Sequence, residues 1–210
     1  MQIRSAGFRV VPELPPVFTA LRCAYPTTHA PWRGAGLQAG VLVALTNEDE
    51  PRVLLGRRGQ HLRLHPGEIA FPGGKREPED SSPWATAVRE CWEEVGIDHH
   101  LIEPVAELAP LVTRSGFSVY PCIARVPKVL ELVVDAAEFD SVFLPRLSVF
   151  ADPALFELKE MFDGTHYRKV PHYQLAEDNV WGVTAAVLAF MANAAYDSGF
   201  DLHRDWNNKP

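Results

Sequence analysis

The chain has 210 residues, of which 47% are hydrophobic and 22% charged, an ordinary composition for one globular domain with a sizeable core. Its formal net charge of −7 argues against a nucleic-acid backbone as the main partner, because such a partner needs a basic face. No apolar run approaches the length of a membrane span, and the N-terminus lacks the apolar stretch of a signal peptide. The cysteines are scattered, without disulfide or zinc spacing, so we expect a protein of the reducing cytoplasm.

Composition predicts three parts along the chain. Residues 1–36 contain several prolines and no clean period, which predicts an irregular arm packed on the domain. Residues 37–196 carry the periodic apolar segments and form the predicted domain. Residues 197–210 are mostly polar, as is typical of a terminal tail.

The first strands are expected just after the arm. Residues 38–45 form a nearly continuous apolar run, and residues 52–56 form a second, shorter one. Residues 47–51 lie between them with the composition of a turn. We therefore predict a β-hairpin from these two strands.

A helix is predicted between Ser82 and Gly96. Ser82 can accept a hydrogen bond as the N-cap, and Pro83 suits the first helical position, where a missing N–H costs nothing. Gly96 fits the end of the helix, because glycine readily takes the left-handed conformation found there. Apolar side chains recur at helical spacing and predict one core-facing stripe, made of Trp84, Val88, Cys91, Trp92 and Val95.

Three carboxylates occupy the opposite side of this predicted helix. Glu90 lies one turn from Glu93 and Glu94, and like charges so placed repel by about a few tenths of a kcal/mol per pair. We expect them to face a cleft or solvent, where oxygen ligands bind hard divalent cations such as Mg2+. A solvated acidic face is the commoner fate of charge runs. That alternative does not explain why the helix follows a double glycine at 73–74, or why Arg89 precedes the first glutamate.

Residues 74–97 resemble the Nudix box, G-x5-E-x7-R-E-U-x-E-E-x-G-U with U a bulky apolar residue. The match is complete from Arg89 onward. Asp80 stands where the first glutamate is expected, and eight residues rather than seven separate it from Arg89. The extra residue resembles one branch, the coenzyme A pyrophosphatase-like Nudix hydrolases. Residues 62–74 resemble a second motif of that branch, and two abutting motifs are far more specific than either alone.

The resemblance implies an α/β Nudix fold, in which a mixed β-sheet is sandwiched between α-helices. Residues 180–196 resemble the opening and body of the closing helix of that fold, and Asp178 or Asn179 is the expected cap. The expected cofactor is Mg2+ or Mn2+. By resemblance, Glu90 and Glu94 are the main metal ligands, and Glu93 is the next candidate. The backbone carbonyl of Gly73 or Gly74 is a further candidate ligand.

The resemblance also assigns a role to Arg89. In relatives this arginine orients the glutamates by pairing with the loop acid, whose place Asp80 takes here. Because the spacing has changed, Glu77 and Glu79 stay open as alternative partners.

The general base and the substrate contacts follow from the same resemblance. Family members use either a box glutamate or an acid from a later loop, so Glu90 and Glu138 are both candidates for the base. Glu138 as an ordinary surface charge is the competing interpretation. The predicted substrate-binding residues include His65, near the diphosphate, and Phe117, as an aromatic contact. The backbone of Gly73 and Gly74 and the positively charged side chains of Arg57, Arg58 and Arg63 complete the predicted set.

The expected reaction is metal-dependent hydrolysis of the pyrophosphate linkage in a nucleoside diphosphate derivative. The coenzyme A branch implies coenzyme A or its thioesters as substrate, giving adenosine 3′,5′-bisphosphate and 4′-phosphopantetheine. Two alternatives stay open: another nucleotide, such as an ADP-sugar, a dinucleotide or an oxidised nucleotide, and a Nudix domain that binds a nucleotide without cleaving it. The expected partner is a small nucleotide, not a nucleic acid or a membrane. The chain is expected to be a monomer or a homodimer.

Overall fold

The computed structural model describes residues 14–162 and 167–202. The start of the predicted arm, residues 1–13, and residues 203–210 of the predicted tail lie outside the described residues. The α-helices are α1 (Pro16–Ala24), α2 (Pro83–Val95) and α3 (Gly182–Tyr196), and two 3₁₀ helices cover His99–Leu101 and Leu147–Ala151. The strands are β1 (Gln38–Thr46), β2 (Leu55–Arg58), β3 (Ile69–Ala70), β4 (Gly73–Lys75), β5 (Glu103–Glu107), β6 (Leu111–Val112), β7 (Ser118–Val126), β8 (Phe139–Phe143), β9 (Phe156–Phe162), β10 (Tyr167–Leu175) and β11 (Asp178–Trp181).

The central sheet is mixed and is built around β1. Its strand order is β4-β1-β7-β5, with β6 also paired to β7. Strand β1 runs parallel to β7 and antiparallel to β4. A central strand buried on both faces is expected to be a nearly continuous apolar run, as observed for β1.

The predicted hairpin is confirmed next to its turn, where the Thr46 amide donates to the Arg52 carbonyl and the Leu54 amide to the Ala44 carbonyl, and is wrong beyond it. Leu45 and Val53 form an isolated antiparallel bridge, and then the chain leaves β1. Residues 55–58 continue as β2, which pairs with β3 and β8 in a separate sheet. The partners of β1 come from distant segments, and local patterning carries no information about them.

Helices cover both faces of the central sheet. Because side chains alternate along a strand, Leu42 and Ala44 point to one face of β1 and Val43 and Leu45 to the other. The first pair packs with the apolar side chains of α2, and the second packs with those of α1 and α3. The predicted Nudix architecture, a mixed sheet between helices, is confirmed.

Helix α1 lies within the segment that the sequence predicted to be irregular. Pro16 occupies the start of α1, where proline is tolerated because the first N–H groups have no partner inside the helix. Phe18 and Leu21 are fully buried and belong to the core beneath α3. The prolines that suggested irregular chain therefore mark the beginning of a helix.

The closing helix α3 ends at Tyr196, as predicted, but its start differs from the prediction. Its N-cap is Trp181, without a side-chain cap, so the expected capping by Asp178 or Asn179 is wrong. Both residues belong to β11, where pairing with β10 fixes them. Among the described residues, none of the helices combines the length and the apolar character that crossing a membrane requires.

Candidate active site

Helix α2 is fixed at both ends as the sequence predicted. The Ser82 hydroxyl accepts a hydrogen bond from the Ala85 amide at 3.2 Å. Gly96 ends the helix in the left-handed conformation, with φ of 74°. A Cβ at Gly40 of β1 would lie 2.5 Å from the Pro83 carbonyl oxygen, so glycine there allows α2 to approach the sheet closely.

The buried side of α2 matches the predicted apolar stripe only in part: Trp84, Cys91 and Val95 are buried, and Val88 packs against the same core. Trp92 is 57% exposed, whereas Thr86 is fully buried and Glu94 is 4% exposed. The reason is that α2 packs on β4 as well as on β1. The loop and strand around the double glycine cover a side of the helix that the sequence assigned to solvent or a cleft.

Glu94 is a buried carboxylate bound to the double-glycine strand. Its Oε2 accepts a hydrogen bond from the Gly73 amide at 2.8 Å. Burial, together with the charges of Glu90 and Glu138, raises the pKa of Glu94 to about 8, against the Gly73 hydrogen bond and the positive charge of Arg58. A carboxylate in such surroundings favours either a proton or a metal cation.

Glu90 lies against the other glycine of the pair. A Cβ at Gly74 would lie 2.2 Å from Glu90 Oε1, so only the bare backbone leaves room for this carboxylate. Burial raises the pKa of Glu90, with opposition from the neighbouring Arg89 and reinforcement by Glu93 and other acids. Glu90 and Glu94 therefore both flank the strand that carries Gly73 and Gly74.

Arg89 connects the acidic residues of the site. Its Nε and Nη2 donate to the two carboxylate oxygens of Asp80 at 3.2 and 2.9 Å. Its Nη1 lies 3.0 Å from Glu90 and 3.0 Å from Glu93. Glu77 is more distant, at 3.8 Å, so Asp80 is the loop acid that pairs with Arg89.

Asp80 has a further partner that sequence reasoning missed. The Thr86 hydroxyl donates to Asp80 Oδ2 at 2.7 Å, and the Glu77 amide donates to the same atom at 2.9 Å. A threonine within the helix gave no signal in the sequence, because only the folding of the 75–80 loop back onto α2 makes the contact. The three donors fix the Asp80 carboxylate beneath Arg89.

Glu138 approaches the same cluster from the segment before β8. The Asp135 amide donates to the Glu94 backbone carbonyl at 2.9 Å, and the Glu138 amide donates to the Asp135 carbonyl at 3.0 Å, so this segment is joined to α2 at Glu94. Arg58 Nη2 lies 3.4 Å from Glu138 Oε2. The structure thus brings Glu138, predicted from a distant part of the sequence, to the Glu94 end of the cluster.

The two adjacent arginines of β2 have different partners. Arg58 pairs with Glu138, whereas Arg57 pairs with Asp178 of β11 at 2.5 Å. The register of β2 with β8 shifts between these two residues, and Arg57 joins two small sheets whereas Arg58 faces the acidic cluster. The predicted role of Arg57 in substrate binding stays a prediction.

The remaining predicted substrate contacts lie at the surface. His65 is exposed in the turn before β3, with Nδ1 3.0 Å from Glu68 Oε2, and Arg63 is exposed in the same loop. Phe117 is half-buried at the start of β7, with the Lys75 ammonium 5.6 Å from its ring centroid. The Lys75 carbonyl accepts a hydrogen bond from Arg89, which links this aromatic edge to the acidic cluster.

The donor set fits a hard divalent cation. Glu90 and Glu94 supply carboxylate oxygens against a glycine backbone, and oxygen is the ligand that Mg2+ and Mn2+ prefer. The three helix glutamates do not converge on one point, because Arg89 and the Gly73 amide hold them. Within residues 14–162 and 167–202, the group of three or more ligand-type side chains whose donor atoms all lie within 4.8 Å of one another is Asp98, His99 and His100, which are exposed beyond the end of α2.

Comparison with known proteins defines the class of this chain. A family model described as NUDIX domain matches residues 36–164, so the chain belongs to the Nudix family. It is a Nudix pyrophosphohydrolase, an enzyme that acts on nucleotide derivatives.

The relatives include proteins described as uncharacterized Nudix hydrolase NudL. The chain is 34% identical to NudL of Photorhabdus laumondii over 154 residues, which cover 73% of this chain and 82% of that one. It is 36% identical to NudL of Yersinia enterocolitica over 155 residues, which cover 73% and 79%. A crystal structure from Deinococcus radiodurans aligns with a TM-score of 0.49 at 14% identity, covering 81% of this chain and 88% of that one.

Proposed function

We propose that the chain hydrolyses the diphosphate linkage of coenzyme A or its thioesters at the carboxylate cluster of α2. The single observation that supports this site is a pair of carboxylates beside the double glycine. Glu90 is half-buried against Gly74, and Glu94 is buried against Gly73. Glu93, at the exposed end of the cluster, completes the set of acids that hold Mg2+ or Mn2+. The carbonyl of Gly74 adds an oxygen of the kind these ions accept.

Bound metal ions supply charge neutralisation at the phosphates and a lowered pKa of bound water. The protein supplies the rest. Arg89, held by Asp80, fixes Glu90 and Glu93. Glu138 is the proposed general base, because its segment is joined to α2 at Glu94 and its carboxylate pairs with Arg58.

The choice of coenzyme A rests on the 62–74 loop and on the Asp80 spacing, both similar to the coenzyme A branch. The loop reaches the cluster through β2, because the Gly67 amide donates to the Arg58 carbonyl at 3.0 Å. Coenzyme A differs from ADP-ribose by a 3′-phosphate and a pantetheine arm. Arg63 is exposed in this loop and supplies a cation for the 3′-phosphate. A charge-assisted contact of this kind is worth roughly 1.5–3 kcal/mol, or about tenfold to a hundredfold in discrimination.

The test compares kcat/KM for coenzyme A, dephospho-coenzyme A and ADP-ribose, with Mg2+ and with Mn2+. We expect coenzyme A to be preferred, and Arg63→Gln to remove about tenfold or more of the preference over dephospho-coenzyme A. Arg125→Gln is the control, since Arg125 pairs with Glu103 on the sheet. Equal kcat/KM values for the three substrates would replace the coenzyme A proposal with a broad nucleotide diphosphatase. Binding without cleavage would indicate a nucleotide-binding domain.

A further inference from the structure

The end of β2 and the three residues that follow it contact the segment that carries Glu138. Residues 58–61 contact residues 137–140 through both side chains and backbone. The contacts are Arg58 Nη2 to Glu138 Oε2 at 3.4 Å, the Gly59 amide to the Glu138 carbonyl at 2.9 Å, the Gln60 amide to Asp140 Oδ2 at 3.1 Å, and His61 Nε2 with the Ala137 carbonyl at 3.0 Å. We name these four contacts the 58–61 brace.

The brace is anchored at Arg58. The Arg58 amide donates to the Glu68 carbonyl at 2.9 Å, and the Arg58 carbonyl accepts from the Gly67 amide at 3.0 Å. A Cβ at Gly59 would lie 2.4 Å from the His61 ring, so a glycine lets that ring fold back over the chain. The backbone on both sides of Arg58 is thereby fixed, and its side chain has a defined origin.

The Arg58 guanidinium pairs with the Glu138 carboxylate, with Nη2 3.4 Å from Oε2. The segment that carries Glu138 is in turn joined to α2, because the Asp135 amide donates to the Glu94 backbone carbonyl at 2.9 Å. Arg58 Nε is buried, and none of the described residues accepts a hydrogen bond from it. Arg58 therefore contacts Glu138 through Nη2, while the adjacent Nε makes no hydrogen bond to the described residues.

We propose that Arg58 is a positioning residue, which holds the Glu138 carboxylate at the Glu94 end of the site for proton transfer. This inference rests on the proposed function. Glu138 accepts a proton from the attacking water, the water oxygen forms a bond to phosphorus, and the bridging oxygen leaves with the electron pair of the broken bond. Arg58 acts through Glu138 and does not itself contact the substrate.

The competing role for Arg58 is direct binding of a substrate phosphate, and the two roles differ in kinetics. A residue that positions the base changes kcat, because the substrate binds as before. A residue that binds a phosphate in the ground state raises KM. The roles also differ in dependence on Glu138, since positioning has no effect once the base is gone.

The experiment measures kcat and KM with coenzyme A and Mg2+. The single variants are Arg58→Gln, Arg58→Lys and Glu138→Gln, and each double variant combines Glu138→Gln with one of the Arg58 substitutions. Glu138→Gln is expected to lower kcat about a hundredfold. Arg58→Gln should lower kcat about tenfold or more with KM within about twofold, and Arg58→Lys should recover part of the loss. In the Glu138→Gln background, either Arg58 substitution should change kcat by less than about twofold. Arg125→Gln is the matched control, because its side chain is 22% exposed against 21% for Arg58 and also pairs with one glutamate.

A rise in KM of the Arg58 variants with kcat retained would overturn the inference in favour of phosphate binding. Additive losses in the double variants would overturn it as well. If Arg58→Gln fails to fold, Arg58→Lys alone and in combination with Glu138→Gln gives the same comparison of kcat with and without the base. Normal hydrolysis by Glu138→Gln would remove the base assignment while leaving the carboxylate site of α2 in place. A wild-type protein that cleaves no nucleoside diphosphate would instead overturn the proposed function, and this inference with it.

Discussion

Arg89 and Asp80 form a two-point ion pair that joins the double-glycine loop to helix α2. The pair spans nine positions of sequence, with N–O distances of 3.2 and 2.9 Å. Asp80 reaches the guanidinium although its side chain is one methylene shorter than that of a glutamate. Two parallel hydrogen bonds of this kind fix orientation as well as distance. Arg89 in turn holds Glu90 and Glu93.

The first prediction is that Asp80→Asn destabilises the fold by about 2 kcal/mol at pH 7. Burial by itself would raise the pKa of Asp80, but hydrogen bonds from Arg89, the Glu77 amide and Thr86 lower the pKa to about 2. Each pKa unit of difference from the unfolded chain corresponds to about 1.4 kcal/mol. Urea unfolding of the variant measures the loss. Glu77→Gln is the control, since the Glu77 side chain is 58% exposed and should change stability by less than about 0.5 kcal/mol.

The same pair predicts a pH dependence of stability. Because the folded-state pKa of Asp80 is below its unfolded value, the contribution is present above the unfolded pKa and is lost as the pH falls towards the folded value of about 2. The wild-type protein should therefore lose stability between about pH 5 and pH 2 more steeply than Asp80→Asn. Unfolding curves at several pH values compare the slopes. Parallel curves for the two proteins would show that Asp80 is not held by its partners.

The second prediction is that Glu94→Gln lowers the hydrolysis rate on the order of a hundredfold or more at saturating Mg2+. The amide oxygen of glutamine still accepts the Gly73 hydrogen bond, so the fold should be kept. In EDTA at a pH above 8, where Glu94 is ionised, the variant should melt at or above the wild-type temperature, because a buried charge repelled by Glu90 and Glu138 is removed. Glu79→Gln, at an exposed position of the loop, is the control for activity. Wild-type activity in Glu94→Gln would contradict the assignment of α2 as the metal site.

The third prediction is that Gly74→Ala weakens metal binding and lowers activity about tenfold or more while the chain stays folded. The added methyl would lie 2.2 Å from Glu90 Oε1, and the carboxylate must move. Mg2+ titration by calorimetry measures the affinity. Glu90→Asp in the same background shortens the acid, so the double variant should be less impaired than the product of the two single losses. Strict multiplication of the losses would show that Gly74 and Glu90 act independently.

The sequence predicted the two ends of α2 correctly, but it predicted the buried side of the helix only in part. Its limits were predicted because they depend on local chemistry: the Ser82 hydroxyl, the proline ring of Pro83 and the left-handed Gly96. Its facing was predicted only in part. Trp92 is exposed and Glu94 buried because β4 packs beside the helix, and a helical period cannot report which distant strand arrives there.

The arginines of β2 show the same limit within the candidate site. The sequence predicted both Arg57 and Arg58 as substrate-binding residues, whereas the structure pairs Arg57 with Asp178 and Arg58 with Glu138. Glu138 was a candidate base by resemblance alone. Its distance from the box along the chain is bridged by the pairing of β2 with β8, a contact that no local pattern encodes.

The fourth prediction concerns the metal itself: Mg2+ should raise the melting temperature modestly, and its removal should not unfold the protein. The apolar side of α2 packs on β1 through Ala87, Cys91 and Val95, all fully buried, so the helix is held without any ion. A ligand that binds only the folded state adds about 2.7 kcal/mol at a concentration of 100 times its Kd. Melting curves across a Mg2+ series should therefore rise for wild type and for Arg125→Gln, and stay flat for Glu94→Gln. Collapse of the wild-type fold in EDTA would contradict this prediction, because it would make the metal a structural element of the domain instead of a component of the active site.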